Sequence, residues 1–325
     1  MSAHQLTAIP GIRPSLAQAI THRDDTITRQ TIQRCQQHQI QYLCPDDDAY
    51  PPQLKHCPDA PLLLFAKGDL EALAHPRMLA VVGSRKASRE GHLIARRWGQ
   101  YFSERQICVV SGLAYGIDTD AHAGALQGTS PTIAVLGCGL LSVEGRVAQQ
   151  VDAIAKQGCV LSEQLPDQQA RPEFFPKRNR IIAGMTAATL VIEASTQSGS
   201  LITAELAAGY GRDVFAVPGS VLNRMHSGCH HLIRDGAILT DTPEIILQQL
   251  HWQGGSTAKN TFTPENATEA AVYDLLQQEI MHLDAISEAC GLTLPELSPI
   301  LLALELQGVI ERLPGSRFTL GGKYQ

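Results

Sequence analysis

Several short stretches of this 325-residue chain combine small residues with cations in a way that suits phosphate. In Gly83-Ser84-Arg85-Lys86-Ala87-Ser88-Arg89-Glu90-Gly91 the small residues admit close approach to backbone N–H groups. Arg85 offers a fork-shaped guanidinium that grips two phosphate oxygens at once, and Lys86 adds a point charge. Arg96 and Arg97 further on read as solvated charges of the following helix. A second stretch runs Ser111-Gly112-Leu113-Ala114-Tyr115-Gly116-Ile117-Asp118, with His122 one helical turn later. Ser, Asp and His are the residue types of a nucleophilic triad. However, Ser111 lacks the G-x-S-x-G elbow, and an i, i+4 Asp–His pair on one helix face more often fixes a loop. Asp118 and His122 are therefore expected to structure the loop, while Ser111 and Gly112 offer backbone N–H groups to a phosphate.

The third stretch, Phe174-Phe175-Pro176-Lys177-Arg178-Asn179-Arg180-Ile181, places Asn179 among three cations, with Arg171 just before it. Lys177, Arg178 and Arg180 suit phosphate neutralisation, and Phe174 or Phe175 either supports a base or belongs to the core. The fourth, Gln197-Ser198-Gly199-Ser200-Leu201-Ile202-Thr203-Ala204-Glu205, leads into a helix start. There Ser198, Gly199 and Ser200 present N–H groups at a positive dipole end.

What positions these stretches is a repeated alternation between about Leu79 and Leu250. Apolar runs at Leu79–Ser84, Ile107–Gly112, Ile133–Gly137, Cys159–Ser162, Leu190–Glu193, Val214–Gly219 and Ala237–Thr240 are each followed by a segment of helical spacing. Continuous apolar runs mark strands covered on both faces, hence a parallel sheet with helices on each side. The fold class is α/β, with a Rossmann-like core over 62–250 whose functional loops lie at the carboxyl ends of the strands. Four anion-friendly loops at one edge of a sheet fit a polyanion, a strand of nucleic acid, better than a single small phosphate. Gly137-Cys138-Gly139 could open a dinucleotide fingerprint. Its third glycine position is Ser142, though, and no acidic residue ends the next strand, so a nicotinamide site is a weak reading.

Residues 1–61 read as a small helical module followed by a proline-rich wrap (44–61). Leu6–Pro14 resembles half of a helix-hairpin-helix, with Arg13 where its second glycine belongs. Residues 251–267 read as a polar linker. Residues 268–325 read as a winged helix, with three helices and then two strands around Pro314-Gly315-Ser316. Its presumed recognition helix, Leu294–Gln307, holds Glu296 and Glu305 and no Lys or Arg, which favours a protein contact over duplex DNA.

Composition excludes disorder, with 44 % hydrophobic and 18 % charged residues. No apolar run reaches the length of a membrane span, and MSAHQLTAIP lacks the pattern of a secretory signal, so a cytoplasmic location and no membrane partner are expected. The net charge of −6 argues at first against nucleic acid. Yet residues 264–325 hold only three of the 26 basic residues and nine of the 32 acidic ones, which leaves the remainder balanced. The eight cysteines, none in a C-x-x-C pair, read as reduced and mostly buried. Cys229-His230-His231 is too compact for one ion, so no metal is expected.

The runs VVGSRKAS (81–88), VVSGLAYGIDTDAH (109–122), TIAVLGCGL (132–140), FPKRNRIIAG (175–184), VIEASTQSGSLITAE (191–205), GRDVFAVPG (211–219) and GCHHLIRDGAIL (228–239) together resemble the DNA-processing protein A family, DprA or Smf. The resemblance implies a single-stranded DNA-binding protein, usually dimeric, without a cofactor or a catalytic reaction. Such proteins protect incoming DNA in natural transformation and help load the RecA recombinase. It also implies that Arg85 contacts the DNA backbone, and that Ser111, Gly112, Lys177, Arg178 and Arg180 match the family's SG turn and basic stretch. One departure is Val143-Glu144, where many members place Tyr-Pro after the GxGL turn, so a DNA contact there is in doubt. The rival reading is a nucleotide-processing hydrolase of the phosphoribohydrolase-like group, in which GSLITAE would form the turn and Glu205 would act.

Overall fold

The computed structural model describes residues 2–21, 25–252, 264, 266–278 and 280–321. Most of the linker expected at 251–267 lies outside the described residues. The chain divides into two compact units near residue 246.

The first unit begins with three helices, α1 (Ala3–Thr7), α2 (Pro14–Thr21) and α3 (Thr26–Gln37). Ser2 and Gln5 close a capping box at α1, and Gly11 turns the chain before α2 with φ +91°. Strand β1 (Gln41–Leu43) then pairs antiparallel with β2 (Leu64–Gly68). The sheet therefore begins inside the stretch read as a helical module. Residues 44–61 wrap over the core. Tyr50 is fully buried and its hydroxyl donates to the Pro61 carbonyl at 2.7 Å, while Tyr210 holds Asp59 at 2.7 Å.

Seven further strands are β3 (Met78–Val82), β4 (Cys108–Ser111), β5 (Thr132–Leu136), β6 (Cys159–Ser162), β7 (Ala188–Val191), β8 (Asp213–Ala216) and β9 (Ile238–Leu239). Each coincides with one of the apolar runs. The nine-stranded sheet has the order β1-β2-β6-β5-β4-β3-β7-β8-β9 and is parallel from β6 to β9. Alternate residues serve opposite faces: Ile133, Val135 and Leu161 join one core, and Ala134, Leu136 and Val160 the other. Helices α4 (Arg89–Glu104), α5 (Ile117–Ala125), α6 (Gly145–Gln157), α7 (Phe174–Met185), α8 (Ser200–Gly209), α9 (Ser227–Arg234) and α10 (Glu244–Gln249) follow the strands. Strand order reverses between β3 and β7. A switch point of this kind leaves a crevice outside the carboxyl ends of the strands.

The second unit contains α11 (Ala267–Gln278), β10 (Met281–His282), α12 (Leu283–Cys290), α13 (Leu294–Leu306), β11 (Ile310–Leu313) and β12 (Arg317–Leu320). Its sheet, in the order β10-β12-β11, has one strand more than the sequence reading anticipates. Two residues at β10 are too few to show a period. Val272, Ile286, Leu297, Leu301, Phe318 and Leu320 form its core, giving a winged helix. Glu296 closes a capping box on Thr293, so one of the two acids of α13 serves to start the helix.

Among the described residues, no single helix is long and apolar enough to cross a membrane. Cys35, Cys57, Cys108, Cys159 and Cys229 are buried free thiols. Cys229, His230 and His231 face three different partners, the Val191 carbonyl, the Gly219 carbonyl and Asp235.

Candidate functional site

A crevice of about 610 Å³ opens at the switch point. The loop after β3 (Gly83, Ser84, Arg85, Lys86), the loop after β7 (Ser195, Gln197 to Ser200) and one face of α7 line it. On α7 that face is Phe175, Arg178, Asn179 and Ile182, the spacing of neighbours on a helical surface. All four of the stretches singled out in the sequence thus meet at one place, the second through Ala114 and Asp118. Arg85 is exposed and lies over the Phe175 ring, 5.2 Å from its centroid, a cation–π contact that holds the guanidinium at the mouth. Phe175 is therefore neither core nor free surface but half-buried in the wall. Asn179 donates to the Gly199 carbonyl at 3.3 Å and ties α7 to the β7–α8 loop. Ser198 and Ser200 hydroxyls share a hydrogen bond of 2.7 Å at the start of α8.

Lys177 is exposed next to Pro176 but is not among the residues that line the crevice, whereas Lys86 is exposed on the loop after β3 and lines it. Among the described residues, no carboxylate pairs with Arg85, Lys86 or Lys177. The two arginines next to Lys177 differ sharply from it. Arg180 forms ion pairs with Glu163 at 2.5 Å and Asp59 at 3.7 Å and does not line the crevice. Arg178 is buried, and its Nη1 donates to the Gly112 carbonyl at 2.6 Å and also to the Val135 carbonyl. Burial pushes its pKa down to about 10, against the opposing effect of Asp118.

Ser111 and Gly112 are not brought to the crevice wall. The Ser111 hydroxyl donates to the Val81 carbonyl at 2.6 Å, and the Gly112 N–H is taken by Asp118 Oδ2 at 3.1 Å. Asp118 also accepts from Ala114 N–H at 3.4 Å. Burial raises the pKa of its carboxyl, with Arg178 and these hydrogen bonds opposing. His122 is on the same helix but faces Thr132 Oγ1 at 2.8 Å. Thr132 gives its own proton to the Val109 carbonyl, so His122 Nδ1 carries the hydrogen in a neutral ring. Ser111 is in contact with Asp118, and His122 lies against the Ser111 backbone, but the His122 ring bonds to Thr132 and not to Asp118, so no Ser–His–Asp relay forms. Glu205 lies outside the crevice as well, in a hollow with His56, Tyr210 and Arg212. The Gly137-Cys138-Gly139 turn is covered by its own chain. Gly139 N–H donates to the Gln168 carbonyl, and a Cβ on Gly139 would overlap the Leu165 and Pro166 carbonyls. At the altered edge, Val143 packs against the core and Glu144 precedes α6.

The burial of His122 sets a pH limit. Desolvation, with Arg178 adding to it, pushes its pKa down to about 3 from the ordinary 6.5. The fold requires the neutral ring, so His122 leaves stability intact above pH 6.5 and drains it as pH falls toward 3. The loss runs at up to about 1.4 kcal/mol per pH unit. Urea unfolding at pH 8, 6 and 5 should show this slope in the wild type and a flatter one in His122→Gln. Equal slopes would remove His122 from the acid limb.

One residue at the site has no role in the sequence reading: Glu193, just past β7, is fully buried. A carboxylate closing an otherwise apolar buried run was the available signal.

Comparison with known proteins follows the same lines. Residues 41–251 match the family model for DNA recombination-mediator protein A, and residues 257–316 match that for the DprA winged helix domain. Protein Smf of Escherichia coli is 41 % identical over 284 residues, 83 % of this chain and 75 % of that protein. DNA processing protein DprA of Streptococcus pneumoniae is 46 % identical over 207 residues, 63 % of this chain and 73 % of that protein. The X-ray structure of DprA from Streptococcus pneumoniae superposes with a TM-score of 0.69 at 41 % identity, covering 77 % of this chain and 87 % of that one. A Helicobacter pylori DNA processing protein A, whose structure is described for its single-stranded DNA binding mode, matches with a TM-score of 0.59 at 25 % identity over 66 % of this chain and 96 % of that one. By the extent of these matches and the architecture they share, the chain belongs to the DNA recombination-mediator protein A family.

Proposed function

We propose that this chain binds single-stranded DNA without chemistry, shields it on entry during transformation and passes it to a RecA-type recombinase in the cytoplasm, working as a homodimer. The observation that carries the reading is the convergence of two exposed cations without a carboxylate partner, Arg85 and Lys86, on the serine-lined crevice at the sheet's switch point. Phosphates meet Arg85 and Lys86, with Lys177 beyond Pro176, together with the paired hydroxyls of Ser198 and Ser200, while Phe175 and Ile202 give bases an apolar surface. Buried Arg178 and Asp118 hold that surface in shape. The absence of a Ser–His–Asp relay, and the position of Glu205 away from the crevice, weigh against a hydrolase.

Salt titration tests the reading. With about four phosphates neutralised, log affinity for an oligonucleotide should fall with log salt at a slope of about −3. Arg85→Ala should reduce that slope by about 0.7. Binding that ignores salt, or release of free base from a nucleoside monophosphate, would sink the proposal.

A further inference from the structure

The residue that holds the Arg85 loop is outside the crevice. The backbone carbonyl of Glu193 accepts the Ser84 N–H at 2.6 Å, and its Oε2 accepts the Ser88 N–H at 2.7 Å. Both ends of the loop that carries Arg85 and Lys86 are thereby fastened to one residue. Ser88 in turn starts α4, its Oγ accepting Gly91 N–H at 3.1 Å and its carbonyl accepting His92 N–H at 3.0 Å. The buried carboxylate thus lies against the N-terminus of a 16-residue helix, where the dipole favours negative charge. A Cβ on Gly91 would overlap Glu193 Oε2, so the helix approaches this closely only with glycine there. The second oxygen, Oε1, makes no hydrogen bond and faces His226 Nε2 at 3.8 Å.

From β5 to β9, the order β5-β4-β3-β7-β8-β9 is that of a dinucleotide-binding sheet, with β3 as its first strand. In such a sheet the ligand's phosphate sits at the N-terminus of the helix that follows the first strand. Here the protein's own carboxylate occupies that seat. We propose that Glu193 is a positioning and specificity residue. Its internal anion fills the phosphate seat of α4 and fixes the loop so that Arg85 and Lys86 face outward. Recognition is thereby moved to the backbone of a polymer and away from a free nucleotide. The inference rests on the DNA-binding reading above.

The test compares wild type, Arg85→Ala, Glu193→Ala and the double variant of the full chain. Oligonucleotide affinity is read by fluorescence anisotropy, inorganic pyrophosphate binding by calorimetry, and folding by thermal melting. Arg85→Ala should weaken oligonucleotide binding about tenfold and Glu193→Ala at least as much, and the double variant should be within about twofold of Glu193→Ala, because the loop that this variant releases already carries Arg85. Glu193→Ala should also bind pyrophosphate at least about tenfold more tightly than wild type, through the vacated helix end. Glu193→Gln keeps the shape without the charge and decides the matter if Glu193→Ala does not fold. It should weaken DNA binding about threefold, whereas loss of an anion beside a polyanion would by Coulomb's law alone tighten it. Unchanged or tighter binding by Glu193→Gln, or single losses that multiply in the double variant, overturns the inference. A wild type that binds no oligonucleotide sinks the DNA-binding reading itself. One that binds through Arg85 without dependence on Glu193 sinks only this inference.

Discussion

Arg178→Met is expected to melt about 10 °C below the wild type, the largest stability loss of any single change at the site. The guanidinium bridges the Gly112 and Val135 carbonyls, past the end of β4 and within β5, and its charge favours the ionised form of the buried Asp118 carboxyl. Methionine fills much of the volume but leaves two carbonyls without a donor and a carboxylate without its cation. Each buried carbonyl left without its charged donor costs about 1–3 kcal/mol, so together they are a large share of the roughly 5–15 kcal/mol that holds a domain folded. Arg178→Lys should recover little, because one ammonium lacks the planar fork that reaches both carbonyls. Adding Asp118→Asn to Arg178→Met should recover part of the loss, since the stranded charge is then gone. The pH dependence has a definite sign. Asp118 is raised above its ordinary 3.8 in the fold, so its ionised form is the strained one, and protonation relieves it as pH falls toward 3.8. The gap between Arg178→Met and wild type should therefore narrow in acid. A melting point within about 2 °C of wild type would show that the guanidinium is dispensable to the fold.

Charge reversal at the crevice should have the opposite signature, with binding lost and stability kept. Arg85→Glu combined with Lys86→Glu is expected to weaken oligonucleotide binding by about 100-fold or more, taking about tenfold for each charge-assisted phosphate contact. Both side chains are exposed, and neither is among the ion pairs that fasten Arg180. Substitution at such positions shifts stability by about 0.5 kcal/mol or less, so the melting curve should be close to wild type. Arg85→Lys should lose an intermediate amount, because it keeps the charge but weakens both the fork and the stacking on Phe175. If the double reversal binds within threefold of wild type, the crevice is not where DNA sits.

Adjacent positions in the Lys177–Arg180 stretch show how far the sequence reaches. Residue types mark the stretch as basic, and helical spacing puts Phe175, Arg178 and Ile182 on one face and Lys177 on another. Spacing does not say what lies opposite each face. Arg178 is buried because the ends of two strands, β4 and β5, present carbonyls to it. Arg180 is engaged because Glu163, after β6, and Asp59, in the wrap over the core, reach the same point. Those partners are 17 to 121 residues away by number, and no local pattern pairs them. The same holds for the SG turn, where Asp118 takes up the Gly112 N–H that a phosphate was expected to bond.

By itself the sequence determined the parallel sheet and the winged helix, and marked the strand ends rich in small and basic residues, because apolar runs and turn residues act over a few neighbours. The tertiary structure alone decided which cations are exposed at the crevice and which brace its wall. It also made Glu193 the anchor of the Arg85 loop. Both outcomes depend on strand order, which brings the ends of β3 and β7 together across about a hundred residues of chain, and on burial, which turns a charge from a contact for ligand into a partner for buried polar groups.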